Sequence, residues 1–292
     1  FRAQDFLGHV SDCEVPWFSF LPMTLVHVQK EDGVAVISLL NEPVNIMHLK
    51  FWQELLATFE ALEADASIRG VIFQSGLKRS VFTAGLDINE FYAPASSREQ
   101  LHRYWGTLSK TLHRVYSSPM MTASAIKGQC PAGGCALALC CDLRVGAADV
   151  TMGFNEVALG MGGIPPFWGQ LMVGIIGQRH TERLCTTGGM PKSDELSRLG
   201  ILDVVVDRVE DVLSTALETV RGILKNPNDL GRATAKDVLR CDFAKRWSEG
   251  LDFEVDFLWN SINHPQVVTG VKKTLDMLAK PAKHKVPPKA KL

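Results

Sequence analysis

Short β-branched runs alternate with helix-period segments as far as about Leu224, and that alternation is what most constrains the fold. Val34 to Leu40 (VAVISLL) reads as a buried strand. Leu49 to Ala64 carries Phe51, Leu55, Phe59 and Leu62 at the spacing of an amphipathic helix. Gly70 to Ser75 is a second strand, and Gly76 to Ala84 is a loop. Leu101 to Tyr116 is a helix with Trp105, Leu108, Leu112 and Val115 on one stripe, and Met121 to Ile126 is a strand. A loop from Lys127 to Gly133 then leads into a small-residue helix ending near Cys141. Strands follow at Leu143 to Gly146 and Val150 to Phe154.

Further helical patterns occupy Trp168 to Ile176, Thr181 to Thr187, Asp211 to Leu224, Ala233 to Arg240 and Phe253 to Ile262. Strands alternating with helices predict an α/β fold with a largely parallel sheet. Beyond Leu224 only helices are predicted, a segment suited to oligomer contacts. The expected organisation is an N-terminal extension (1–23), an α/β core (24–224) and a helical region with a basic tail (225–292).

Composition narrows the function classes. With 46% hydrophobic and 22% charged residues among 292, wholesale disorder is excluded. Thirty-one Lys and Arg against 32 Asp and Glu leave a net charge of −1, without the global basic bias of a general nucleic-acid binder. No apolar run reaches the roughly 18 residues of a membrane-spanning helix. The expectation is a soluble, enzyme-sized globule. The cysteines number seven, and Cys130, Cys135, Cys140 and Cys141 cluster in one apolar, glycine-rich stretch. Cys-x-x-Cys pairs with His partners are missing, so reduced interior thiols are expected rather than a disulfide framework or a metal site.

Three stretches carry candidate chemistry. Phe82 to Ile88 (FTAGLDI) is a strand-end turn around Gly85, and Gly128 to Cys135 (GQCPAGGC) opens a helix. Gly133 and Gly134 at that helix start would present free N–H groups to an anion, or else simply permit tight helix–strand packing. Neither a phosphate-loop nor a dinucleotide glycine pattern occurs. In the third stretch, Gly153 to Gly160 (GFNEVALG), Glu156 is the only charged residue between Asp149 and Arg179. Apolar surroundings would raise its pKa toward neutrality, as a general base that returns its proton requires. The alternative is a surface glutamate at a strand end.

Together, FTAGLDI, CPAGGC, Asn155 with Glu156, and Pro166, Phe167 and Trp168 resemble the crotonase (enoyl-CoA hydratase/isomerase) superfamily. The likeness is greatest to its mitochondrial Δ3,Δ2-enoyl-CoA isomerases and spans about Leu25 to Leu213. The resemblance implies a crotonase-type spiral of ββα units followed by a helical trimerisation region. It also implies an oxyanion hole from the backbone N–H groups of Leu86 and Gly133, with Glu156 as the catalytic carboxylate. Ala84, Gly85, Leu86, Asp87 and Ile88, with Gly133 and the segment from Asn45 to Met47, would line the CoA site. Lys78 and Arg79 would meet CoA phosphates or stand as solvated loop charges.

Departures from the superfamily pattern narrow the implied reaction. Hydratases carry a second glutamate where this chain has Ala136, and dienoyl isomerases an aspartate where it has Ile164. A single carboxylate implies proton shuttling: Glu156 takes a proton from C2 of a 3-enoyl-CoA and returns it to C4. Another acyl-CoA enzyme of the superfamily (hydratase or thioesterase) and a non-catalytic RNA-binding member, suggested by the basic tail from Lys280, are the alternatives. The expected partners are the enoyl-CoA thioester and two further copies in a homotrimer, without membrane insertion. No metal or separate cofactor is expected, because coenzyme A is part of the substrate. The resemblance favours the mitochondrial matrix, whereas the terminal Ala290, Lys291 and Leu292 favour a peroxisome-like organelle.

Overall fold

In the computed structural model, which describes residues 24–279, the first described elements form a hairpin. Strands β1 (Val26–Glu31) and β2 (Val34–Leu39) pair antiparallel. Asp32 and Gly33 between them sit at φ 50° and 75°, the positive values that a tight primed turn needs. All six β2 residues are buried, whereas in β1 only Val26 is. That exposed edge strand has no hydrophobic run and so leaves no strand signal in the sequence.

Helix α1 (Leu49–Glu63) buries Phe51, Trp52, Leu55, Phe59 and Leu62 and leads to β3 (Gly70–Ser75). Helix α2 (Arg98–Ser117) starts at Ser97, whose hydroxyl accepts from the Gln100 N–H, and leads to β4 (Met121–Ile126). The segment read as a loop from Lys127 to Gly133 contains a short strand, β5 (Gln129–Pro131). Three residues are too few for a periodic signal. Helix α3 (Gly133–Cys140), β6 (Leu143–Ala147) and β7 (Thr151–Gly153) follow. Helix α4 (Pro166–Thr187) is interrupted at Gly177 (φ 75°, ψ 164°), the gap between the two helical patterns in the sequence. Short α5 (Ser193–Arg198) and β8 (Val204–Val206), neither legible in advance, precede α6 (Asp211–Leu224). Among the described residues only helices come after that: α7 (Asp229–Glu249), α8 (Leu251–Ile262) and α9 (Pro265–Leu278).

The main sheet has the order β1-β2-β3-β4-β6-β8 and is parallel from β2 onward. A second, smaller sheet pairs β5 with β7 in parallel, and bridges from Val81 to Gln129 and from Thr151 to Lys192 extend it. The spiral is visible in this arrangement. β3, β4 and β6 lie in the main sheet, and each is followed within a few residues by a short extended segment in the second: Val81, β5 and β7. The chain therefore alternates between two layers with helices outside them. The sequence hides this because the second-layer strands are so short. Helices α7 and α8 pack on α2, and α9 packs beside the segment from Ile88 to Phe91. No helix among the described residues is long and apolar enough to cross a membrane. The N-terminal extension and the tail from Lys280, with the terminal Ala290 to Leu292, lie outside the described residues.

Candidate active site

The turn at Ala84 to Leu86 is held by a buried hydrogen-bond relay. Asn45, fully buried with φ 54°, donates through Nδ2 to Ser75 Oγ (3.0 Å) and to the Phe82 carbonyl (2.9 Å). Its own carbonyl accepts from Thr83 Oγ1 at 2.6 Å, and Thr83 Oγ1 accepts from the Gly85 N–H at 2.9 Å. The Met47 N–H donates to the Gly85 carbonyl at 3.0 Å, and the Tyr104 hydroxyl donates to the Met47 carbonyl at 2.7 Å. Asn45 and Met47 are therefore anchors behind the turn, with fully buried side chains, rather than walls of the cavity.

Gly85 has φ 94°, a conformation that L side chains rarely adopt, and a Cβ there would meet Ala132 and Pro131 in ordinary contact. Ala132 itself stands at φ 49°, ψ −116° just before α3, a strained conformation costing about 1–3 kcal/mol. Its N–H donates to the Gly153 carbonyl at 3.0 Å, which ties the helix start to β7. The backbone N–H groups of Leu86 and Gly133 have no acceptor among the described residues. The packing reading of the glycine pair holds. A Cβ on Gly133 would overlap Leu86 Cδ2, and one on Gly134 would overlap Thr83 Cγ2, so close packing is what brings the two loops together.

Glu156 follows β7 at the start of a turn, in which its carbonyl accepts from the Leu159 and Met161 N–H groups at 3.1 and 2.9 Å. The side chain is 4% exposed, which removes the surface-glutamate alternative. Neither carboxylate oxygen has a hydrogen-bond partner among the described residues, and burial pushes the carboxyl up to about 7. The neighbouring Asn155 Oδ1 is likewise buried and unpaired.

One cavity collects Ala84, Leu86, Ile88, Ala132, Asn155 and Glu156. Its remaining wall includes Phe91, Trp105, Leu159, Met161, Pro165 and Leu258, so the C-terminal helix α8 contributes directly. Among its lining residues, Glu156 is the only acid or base. The C-terminal helices also brace the loop after Glu156. Gly160 lies against Gly270 of α9, and Thr274 Oγ1 donates to the Leu159 carbonyl at 2.9 Å. Ala136, fully buried on α3 within a turn of Gly133, supplies a methyl group, and half-buried Ile164 supplies no carboxylate.

Of the remaining predicted positions, Asp87 caps the turn from Ile88 to Phe91 by accepting from the Asn89 N–H at 3.0 Å. Lys78 and Arg79 stay exposed on the loop after β3, outside the cavity. Cys130, Cys135, Cys140 and Cys141 are buried free thiols whose pKa values burial raises. Among the described residues no cluster of three His, Cys, Asp or Glu is placed to hold a metal ion.

Residues 29–280 match the family model described as enoyl-CoA hydratase/isomerase. The chain belongs to that family. It is 40% identical over 221 residues to the mitochondrial enoyl-CoA delta isomerase 1 of Mus musculus, covering 74% of this chain and 73% of that protein. Its identity to the Homo sapiens mitochondrial enoyl-CoA delta isomerase 1 is 36% over 259 residues, or 87% of this chain and 83% of the relative. The crystal structure of human mitochondrial Δ3,Δ2-enoyl-CoA isomerase superposes with a TM-score of 0.82 at 34% identity, covering 87% of this chain and 98% of that one. The two-layer spiral with C-terminal helices is thus the crotonase fold.

Sequence reasoning missed Trp105 as a cavity wall and Glu254 altogether. Glu254 is fully buried on α8, with its carboxyl pushed up to about 7 by burial. Its signal was available: an acid four residues before Leu258, on the same helical face as Val255, Leu258 and Ile262.

Proposed function

We propose that this family member is a Δ3,Δ2-enoyl-CoA isomerase, which moves the double bond of a 3-enoyl-CoA to give the trans-2-enoyl-CoA. The observation that carries the reading is the single carboxylate: Glu156 is buried, without a hydrogen-bond partner and pushed up to about 7. In the reaction, the Glu156 carboxylate takes a proton from C2 of the thioester, and the C2–H electron pair moves into a dienolate. Negative charge gathers on the thioester oxygen, where the Leu86 and Gly133 N–H groups, both without an acceptor among the described residues, would donate to it. The protonated Glu156 then gives the proton to C4, which restores the thioester carbonyl and the carboxylate. A pKa near neutrality makes one group competent in both steps.

A hydratase needs a second carboxylate to handle the added water, and the cavity lining offers none besides Glu156. Apolar Phe91, Trp105 and Leu258 around the base work in the same direction by excluding water. No metal or separate cofactor takes part in the proposed steps. CoA would lie along the loop from Ala84 to Ile88, with exposed Lys78 or Arg79 meeting its phosphates. We place the enzyme in the matrix of mitochondria, since the isomerases it is similar to are mitochondrial.

We infer a homotrimer in addition. Helix α7 presents Leu230, Val238 and Leu239 at 79%, 70% and 84% exposure, a costly apolar face for a free monomer. Sedimentation of a species of three chains checks this, and a monomer would contradict it. The function itself is tested by comparing turnover of 3-hexenoyl-CoA with hydration of crotonyl-CoA. The isomerase reading expects the first to dominate, and dominant hydration would refute it.

A further inference from the structure

The proposed chemistry leaves one buried acid without a task. Glu254 of α8 lies outside the cavity lining, yet both of its carboxylate oxygens are engaged. Oε2 accepts from Trp105 Nε1 at 2.9 Å, and Oε1 accepts from the Phe167 backbone N–H at 3.2 Å. The two donors come from different elements: Trp105 from α2 and Phe167 from the first turn of α4. Trp105 is a wall of the cavity that holds Glu156. Its ring lies 5.3 Å from that of Trp168, which stacks on Phe154 at 5.4 Å, two residues before Glu156. Contacts therefore run without interruption from the Glu254 carboxylate through three aromatic rings to the segment that carries the base.

We propose that Glu254 is a positioning residue of the active site: by accepting from Trp105 and Phe167 together, it fixes the aromatic wall against which Glu156 and the acyl chain are aligned. The inference rests on the isomerase reading above and adds a residue to it.

The geometry requires a group with two acceptors. A carboxylate meets that demand. A glutamine presents one oxygen and one NH2, so it turns a donor toward either the Trp105 indole N–H or the Phe167 N–H. Glu254→Gln therefore keeps size and shape while breaking one of the two contacts. If the contact to Trp105 gives way, the indole is freed to rotate within the cavity wall. Small misplacements of reacting groups cost far more in rate than in binding.

The experiment compares the full-length parent with Glu254→Gln, Trp105→Phe and the double variant. It measures kcat and KM on 3-hexenoyl-CoA, thermal unfolding, and the indole N–H resonance of Trp105 in 15N-labelled protein. Glu254→Gln is expected to lower kcat about 10–10²-fold with KM nearly unchanged and to shift the Trp105 indole resonance. Trp105→Phe, which keeps a ring in the wall, is expected to lower kcat similarly and serves as the test if Glu254→Gln does not fold. The double variant should be no worse than the poorer single, because both substitutions remove the same link. A lowered unfolding temperature with parent kcat and KM would overturn the inference, as would single effects that multiply in the double variant. A parent that does not turn over 3-hexenoyl-CoA would fail the isomerase reading and this inference with it. An active parent matched by Glu254→Gln would fail the inference alone.

Discussion

Replacing Glu156 by glutamine should stabilise the protein, and increasingly so as the pH rises. The carboxyl is pushed from its ordinary 4.5 up to about 7 by burial. In the unfolded chain it releases its proton near 4.5, while the folded protein holds that proton until about 7. Between those values the folded state binds more protons, so folding stability falls as pH rises and the loss is complete above about 7. At about 1.4 kcal/mol per pH unit, the whole gap amounts to about 3 kcal/mol. Glutamine has no charge to bury and escapes this cost. Relative to the parent, Glu156→Gln should gain about 1 kcal/mol at pH 5 and about 3 kcal/mol at pH 8. Glu254 is also pushed up to about 7, but it is present in both proteins and cancels in the difference. Urea unfolding at several pH values, at one ionic strength and one protein concentration, measures the effect. A stability difference that stays constant from pH 5 to pH 8 would refute the claim that a carboxylate is held buried and unpaired at this position.

Other outcomes follow from the same geometry. The isomerase kcat/KM should rise with pH through about 7 as Glu156 gains its basic form, and a profile flat from pH 5 to 9 would contradict that role. Gly133→Ala places a methyl against Leu86 Cδ2 beside the two N–H donors, and a loss of about 10²–10³ in kcat is expected where the Leu86 backbone shifts to admit it. Near-parent kcat in that variant would show that the Leu86 side chain alone gives way and the donors keep their places. Ala136→Glu supplies the second carboxylate at a fully buried site, so hydration of crotonyl-CoA should rise while the unfolding temperature falls. If hydration does not rise, Ala136 is not what separates the two reactions.

The legible part of the fold was the part with long, buried elements. Gly70–Ser75, Met121–Ile126 and Asp211–Leu224 stand where periodicity put them, because each buries enough apolar side chains to leave a period. β5 and β8 are three residues each, too short to carry one, whereas the equally short β7 falls within the predicted Val150 to Phe154. Helix α9 buries only Val267, Val271 and Thr274 along 14 residues, a stripe thin enough to pass unread. Within the site, Glu156 was legible as a lone charge in an apolar stretch, and Gly133 as a glycine at a helix start. The partners that give them meaning were not. Trp105 and Leu258 come from distant elements, and only the two-layer winding brings them to one cavity with Leu86, which the family resemblance alone pointed to. Asn45 was legible as a site residue through the family resemblance alone. Its relay to Ser75, Phe82 and Thr83 depends on contacts 30 to 38 residues apart in the chain.

The central claim is that Glu156 alone carries the proton between C2 and C4. It is tested most directly by following 3-hexenoyl-CoA to trans-2-hexenoyl-CoA with the parent and with Glu156→Gln, while CoA-ester binding is measured on both. Turnover by the parent, near-total loss in the variant and CoA-ester binding retained in both are expected. Isomerisation by Glu156→Gln at close to the parent rate would contradict the claim.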